Sequence, residues 1–99
     1  MKTYLYYGTE ENAFEIEKYE TKNPFEDVRD FLNYIDDDEI DTALTQMKSD
    51  FEKNGFSIYE TEQKQGYEII IGIAEFGKCS KIKRVMELRR QEIVSMFNF

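Results

Sequence analysis

The residues of this chain with the clearest chemical potential are five carboxylates within six positions. Asp36, Asp37, Asp38 and Glu39 are consecutive, and Asp41 follows one residue later. Carboxylates bind divalent cations, but a calcium loop alternates its ligands and needs a glycine at its sharp turn. The run has neither feature, so we expect no metal site. Carboxylates are stabilising at a helix N-terminus, and the run is interpreted as both a helix start and a docking surface for a basic partner.

Positive residues collect near the predicted start of the last helix, namely Lys78, Lys81, Lys83 and Arg84, with Arg90 further along it. Cations are disfavoured at this end because the helix dipole is positive there. A local rule broken without visible gain often marks function, and such a helix end suits anions. We therefore consider a site for phosphate, nucleic acid or an acidic protein segment. The alternative is that Asp and Glu residues of the acidic helices neutralise these cations within the fold.

Arg89 falls within the apolar stripe of the same predicted helix, and the apolar tail Met96, Phe97 and Phe99 follows it. Arginine is rarely buried without a partner. Either its stem reaches past the edge of the core, with the charge in water, or the guanidinium contacts a second copy. The second alternative predicts a homodimer interface formed by Arg89 and the apolar tail.

Nothing in the sequence defines a catalytic centre. The chain has no histidine, which is the commonest general base, and its lone cysteine therefore has no histidine partner. Its five glycines are too widely spaced for a phosphate-binding loop. We expect a protein that is not an enzyme and needs no cofactor.

Charge is divided unevenly along the chain. Residues 1–62 carry 17 Asp and Glu against 6 Lys and Arg, whereas residues 63–99 carry 4 against 7, for a net charge of −8. A surface this acidic repels nucleic acid and most membranes and attracts basic protein surfaces. The N-terminal segment lacks the long apolar core of a signal peptide, and a lone cysteine fits a reducing compartment. We therefore expect a cytoplasmic protein without a membrane span.

The strands that position these residues follow from hydrophobic patterning. Strands are predicted at 3–7, at 14–17, at 56–63 and at 67–76, where apolar, β-branched and aromatic residues cluster or alternate. A turn is predicted at 64–66. The fourth strand contains four isoleucines that occupy both of its faces, which predicts a central position in the sheet.

Capping residues and a 3.6-residue period predict three helices. Asn23 is the predicted N-cap of the first helix, with Glu26 as its capping-box partner. Asp36 is the predicted N-cap of the second helix, which Gly55 ends. The third helix is predicted to begin at a Ser80 cap and to run toward the C-terminus.

These elements predict an α+β fold in the order ββααββα. We expect residues 1–99 to form a single compact domain, in which three helices pack on one face of a mostly antiparallel four-stranded sheet.

Three functions are consistent with these patterns. The leading hypothesis is a small non-catalytic protein that docks its acidic face on a basic, nucleic-acid-binding surface of a host protein. In this general character it resembles the compact acidic inhibitors, including anti-defence proteins, of phages and other mobile elements. The second is a nucleic-acid-binding or regulatory module that uses the basic C-terminal helix, against which the net charge acts. The third is a structural homo-oligomer in which the acidic end of one copy meets the basic end of the next.

Overall fold

The computed structural model describes residues 2–33, 35–61 and 69–97, and the predicted α+β fold in the order ββααββα is confirmed. The elements are β1 (Thr3–Thr9), β2 (Glu17–Thr21), α1 (Pro24–Phe31), α2 (Asp37–Asn54), β3 (Phe56–Glu60), β4 (Ile69–Glu75) and α3 (Cys79–Phe97). Short 3-10 turns at Glu10–Asn12 and Phe76–Lys78 follow β1 and β4. The predicted turn at 64–66 lies outside the described residues.

The four strands form one antiparallel sheet in the order β2-β1-β4-β3. Strand β4 pairs with β1 on one side and with β3 on the other, and Ile73 lies opposite both Leu5 and Ser57. Every residue of β4 from Ile69 to Ala74 is buried. The predicted central position of this strand is therefore confirmed.

Helices cover both faces of the sheet, so the prediction that all three pack on one face is wrong. Strand β4 explains the difference, because Ile71 and Ile73 belong to one buried cluster and Ile70 and Ala74 to another. Helices α1 and α2 cover the first cluster, and α3 covers the second with Ile82 and Met86. A strand that is apolar on both faces needs a layer of helix on each.

The connection between β1 and β2 departs from the predicted strand at 14–17. Ala13 and Phe14 adopt left-handed backbone angles, with φ of 57° and 58°, and β2 begins only at Glu17. The Phe14 amide donates to the Thr9 carbonyl at 2.8 Å, and its ring is buried on the α3 side of the sheet. Gly8 makes this turn possible, because a Cβ there would lie 2.8 Å from the Phe14 carbonyl oxygen.

The predicted helix caps are only partly confirmed. Asn23 and Asp36 occupy the predicted N-cap positions of α1 and α2, but neither makes the expected side-chain cap hydrogen bond. Instead the Asn23 amide donates to the Thr21 hydroxyl oxygen at 3.2 Å, and that hydroxyl donates to the Asp27 carboxylate. Gly55 ends α2 as predicted, with a left-handed φ of 76°.

Candidate functional site

The acidic run, defined as Asp36, Asp37, Asp38, Glu39 and Asp41, forms the exposed start of α2. The opposite side of this helix is buried in the core through Ile40, Ala43, Leu44 and Met47. These apolar residues recur at helical spacing and define the buried side of α2, whereas all five carboxylates of the acidic run are exposed. The hydrophobic pattern of the sequence therefore fixes the orientation of the acidic run.

Most of the charge of the acidic run is uncompensated. Asp41 accepts a hydrogen bond from Arg29 of α1 at 2.5 Å, but 47% of the Arg29 side chain and 64% of the Asp41 side chain are exposed. Exposed ion pairs of this kind contribute only about 0–1 kcal/mol to the free energy of unfolding. The other four carboxylates form no ion pair with any described residue. Within the described ranges, no group of three or more His, Cys, Asp or Glu side chains is arranged to hold a metal ion.

An open groove of about 760 Å³ lies at the same end of the molecule. Its walls come from β1, β2, α1, the start of β4 and the turn that joins the first two strands. Its lining combines three carboxylates (Glu11, Glu17 and Asp30), two side-chain amides (Asn12 and Asn33), two aromatic rings (Tyr7 and Phe31), one threonine (Thr9) and one isoleucine (Ile69). Among the described residues, the lining therefore contains no cation.

Aromatic rings form one wall of this groove. The Tyr7 ring lies 4.4 Å from the Phe31 ring, centroid to centroid, and 5.6 Å from the nearly parallel Tyr19 ring. The Tyr19 hydroxyl donates to a Glu17 carboxylate oxygen at 3.4 Å. The hydrogen bond with Tyr19, together with burial and the nearby Glu17 carboxylate, raises the pKa of Tyr7 above its usual range. Tyr7 therefore stays neutral at physiological pH, and the charge of the groove is that of its carboxylates.

The groove and the acidic run lie close together, and we call the two jointly the acidic end. Asn33 lines the groove and precedes Asp36 by three residues, so their Cα atoms lie within about 11 Å of each other. The ion pair between Arg29 and Asp41 joins the same two helices. The acidic run was predicted from sequence, whereas the groove was not. Its residues are spread from position 7 to position 69, and strand pairing together with the packing of α1 brings them together.

The start of α3, with Lys78 and Lys81, lies far from the acidic run. Helix α2 has 18 residues and is about 27 Å long, and the Gly55 carbonyl that follows it accepts from the Glu75 amide at 3.0 Å. Helix α3 begins four residues after Glu75, at Cys79, so Ser80 lies within the helix and the prediction of Ser80 as its N-cap is wrong. The start of α3 is therefore near the end of α2, on the other face of the sheet. The acidic run is too distant to neutralise it.

The predicted anion-binding residues form two rows on α3 instead of one site. Lys81 and Arg84 are three residues apart and share one side of the helix, whereas Lys83 and Arg90 are seven apart and share another. Lys78 lies in the 3-10 turn before the helix. None of the five forms an ion pair within the described part of the chain. Lys81 lies 5.7 Å from the centre of the Phe56 ring, and the Arg90 Nε is buried without a hydrogen-bond partner.

Arg89 finds its partners within the same chain. Its guanidinium pairs with Glu60 at the end of β3 and with Glu92 of α3, and these two carboxylates raise the pKa of Arg89 above its usual range. The predicted need for a carboxylate from a second copy is thereby removed. The other residues of the predicted dimer interface, which are the side chains of Met96 and Phe97 and the whole of Phe99, lie outside the described residues.

No helix in the described ranges has both the length and the apolar character that a membrane crossing requires. Comparisons of the chain with protein families, with curated proteins and with solved structures find no match. The geometry and charge of the acidic end are therefore the features from which a function can be inferred.

Proposed function

We propose that this protein is a small non-catalytic binding protein whose acidic end docks on a basic surface of another protein. The observation that supports this most is the exposed acidic run, in which Asp41 alone has an ion-pair partner among the described residues. Three further carboxylates line the adjacent groove. A concentration of one sign of charge around a concave surface attracts oppositely charged partners over several ångströms.

The proposed partner carries a basic surface, such as one that normally holds nucleic acid. Covering that surface would make this protein an inhibitor, with the general character of the acidic inhibitors produced by phages and other mobile elements. The lone Cys79 supports placing this interaction in a reducing compartment such as the cytoplasm. Exposed charges at the rim of an interface act mainly through the association rate, so binding of this kind is sensitive to salt.

The first test is capture of the partner from a host cell lysate at low and at high salt. At low salt, the double substitution Asp37→Asn and Asp38→Asn should reduce recovery of the partner by about five- to tenfold. High salt should reduce recovery by the wild-type protein in the same direction, because mobile ions screen exposed charges.

The matched control is the double substitution Glu26→Gln and Glu52→Gln. It removes the same charge from exposed positions at the start of α1 and near the end of α2, away from the acidic run. This control should recover the partner as the wild type does. Equal recovery of one partner by the wild type and the Asn variant at both salt concentrations would refute docking through the acidic run.

A second candidate function is nucleic-acid binding through α3. The observation in its favour is that Lys81, Lys83 and Arg84 are exposed and have no carboxylate partner in the described part of the chain. The observation against it is the net charge of −8, which opposes non-specific binding to a polyanion.

Mobility shift with labelled DNA and RNA duplexes separates the two functions. We expect no shift at physiological salt, because the net charge repels the phosphate backbone. A shift at micromolar protein that is lost in the double variant Lys83→Glu and Arg84→Glu would overturn the docking proposal. In that case the affinity should fall with salt by a logarithmic slope of about 0.9 for each phosphate contact.

A further inference from the structure

We infer that the groove of the acidic end accepts an arginine side chain of the partner protein. This inference rests on the proposed function, because it assigns the residue type that the acidic end recognises. The groove is the part of that surface where aromatic rings and carboxylates from separate elements face the same space.

The aromatic wall provides a surface for a flat cation. Tyr7 and Phe31 both line the groove, and their ring centroids are 4.4 Å apart. A guanidinium is planar, is weakly hydrated and stacks on aromatic faces, whereas a lysine ammonium is a compact and strongly hydrated charge. The aromatic wall therefore favours arginine over lysine.

The carboxylates provide the hydrogen-bond acceptors. Glu11, Glu17 and Asp30 come from the turn after β1, from β2 and from α1, so they line the groove from different sides. A guanidinium has five N–H donors in a fixed fork, which suits carboxylates that approach it from more than one direction. The side chain of Asn33 adds a neutral acceptor, whereas the Asn12 side-chain oxygen already accepts from the Thr9 amide at 2.9 Å.

Other ligand classes fit this lining less well. An anion would face three carboxylates and, among the described lining residues, no cation. A bare metal ion would need ligands in close array, and the described residues contain no such group. A volume of about 760 Å³ admits a long side chain together with the peptide backbone on either side of it. The occupant that satisfies both the aromatic and the acidic parts is an arginine presented by a protein.

The test is a titration of the isolated protein with three capped tripeptides, Ala-Arg-Ala, Ala-Lys-Ala and Ala-citrulline-Ala, followed by NMR at low salt. Citrulline has nearly the shape of arginine but carries no charge. The arginine peptide should bind at least about tenfold more tightly than the citrulline peptide, because charge-assisted hydrogen bonds are lost with citrulline. It should also bind more tightly than the lysine peptide. The shifted amide signals should include those of Asn12 and Asn33.

Two substitutions connect this binding to the groove. Asp30→Asn removes one exposed carboxylate of the lining and should lower the affinity for the arginine peptide by about tenfold. Glu26→Gln, on the same helix, should leave that affinity unchanged. Phe31→Leu keeps an apolar side chain but removes an aromatic face, and it should reduce the preference for arginine over lysine. Equal affinity for the arginine and citrulline peptides, or shifts confined to residues outside the groove, would overturn the inference.

These experiments can refute the arginine site in the groove and the docking of the acidic run independently of each other. If the Asp37→Asn and Asp38→Asn variant loses the lysate partner but Asp30→Asn retains it fully, the docking proposal stands and the arginine site is refuted. If the arginine peptide binds as expected but no acidic substitution changes capture of the partner, the docking proposal fails and the groove remains a site for arginine.

Discussion

Replacing Gly72 with valine should lower the free energy of unfolding by about 3 kcal/mol, at the upper end of the cost of overpacking a core. Gly72 lies in β4 on the face that α3 covers. A Cβ there would lie 2.8 Å from Ile82 Cδ1, 3.0 Å from Met86 Sδ and 3.1 Å from the carbonyl oxygen of Ser57. The side chains of α3 can shift, but the carbonyl belongs to a paired strand and cannot.

Chemical denaturation followed by circular dichroism measures this loss, and Gly77→Ala is its control. Nothing lies within 4 Å of a Cβ built at Gly77, so alanine there should change stability by less than about 1 kcal/mol in either direction. If Gly72→Val were as stable as the wild type, α3 could not be packed against the centre of the sheet. The α3 layer would then need to be placed elsewhere.

The two-layer arrangement of helices could have been predicted more fully from β4. Four isoleucines between positions 69 and 73 place apolar side chains on both faces of the strand, and this pattern correctly predicted its central position. The same pattern requires apolar cover on both faces. What local periodicity does not encode is which helix supplies each layer, because α2 and α3 both present an apolar stripe.

Predictions from neighbouring residues were correct where backbone geometry requires one residue type. They were wrong where contacts with another segment determine the local structure. Gly55 ends α2 as predicted, because a left-handed residue there is nearly always glycine. The predicted strand at 14–17 failed because Phe14 is held by the Thr9 carbonyl and by burial against the sheet. Asn23 holds the predicted N-cap position, but the predicted capping box with Glu26 failed because the Thr21 hydroxyl of the preceding strand accepts from the Asn23 amide instead.

The candidate site divides in the same way. The acidic run could be found from sequence because its residues are neighbours and mark a helix start. The groove could not, because it combines Tyr7, Asp30 and Ile69, which are brought together by the pairing of β1 with β4 and by the packing of α1. Likewise the charge asymmetry of the sequence becomes a separation in space. The acidic run lies at the start of α2, about 27 Å along that helix from its end, near which α3 begins.

Charge reversal at Arg89 is the second substitution for which we expect a large effect. Arg89→Glu should lower the free energy of unfolding by about 2 kcal/mol, since it places a third carboxylate beside Glu60 and Glu92. Arg89→Met should cost less than about 1 kcal/mol, because 39% of the Arg89 side chain is exposed and solvent screens the pairs it loses. Denaturation at low and high salt measures both, and salt should partly restore the Glu variant.

The same pair of variants tests whether α3 also forms a homodimer through Arg89. Light scattering at micromolar concentration gives the mass of the wild type and of Arg89→Met. Because Glu60 and Glu92 already pair with this guanidinium within one chain, we expect Arg89→Met to leave the mass unchanged. A wild-type dimer that became a folded monomer on this substitution would show that Arg89 contacts a second copy. A wild-type dimer that persisted would place the interface on other residues, and the exposed Val85 and Leu88 of α3 are apolar positions available for it.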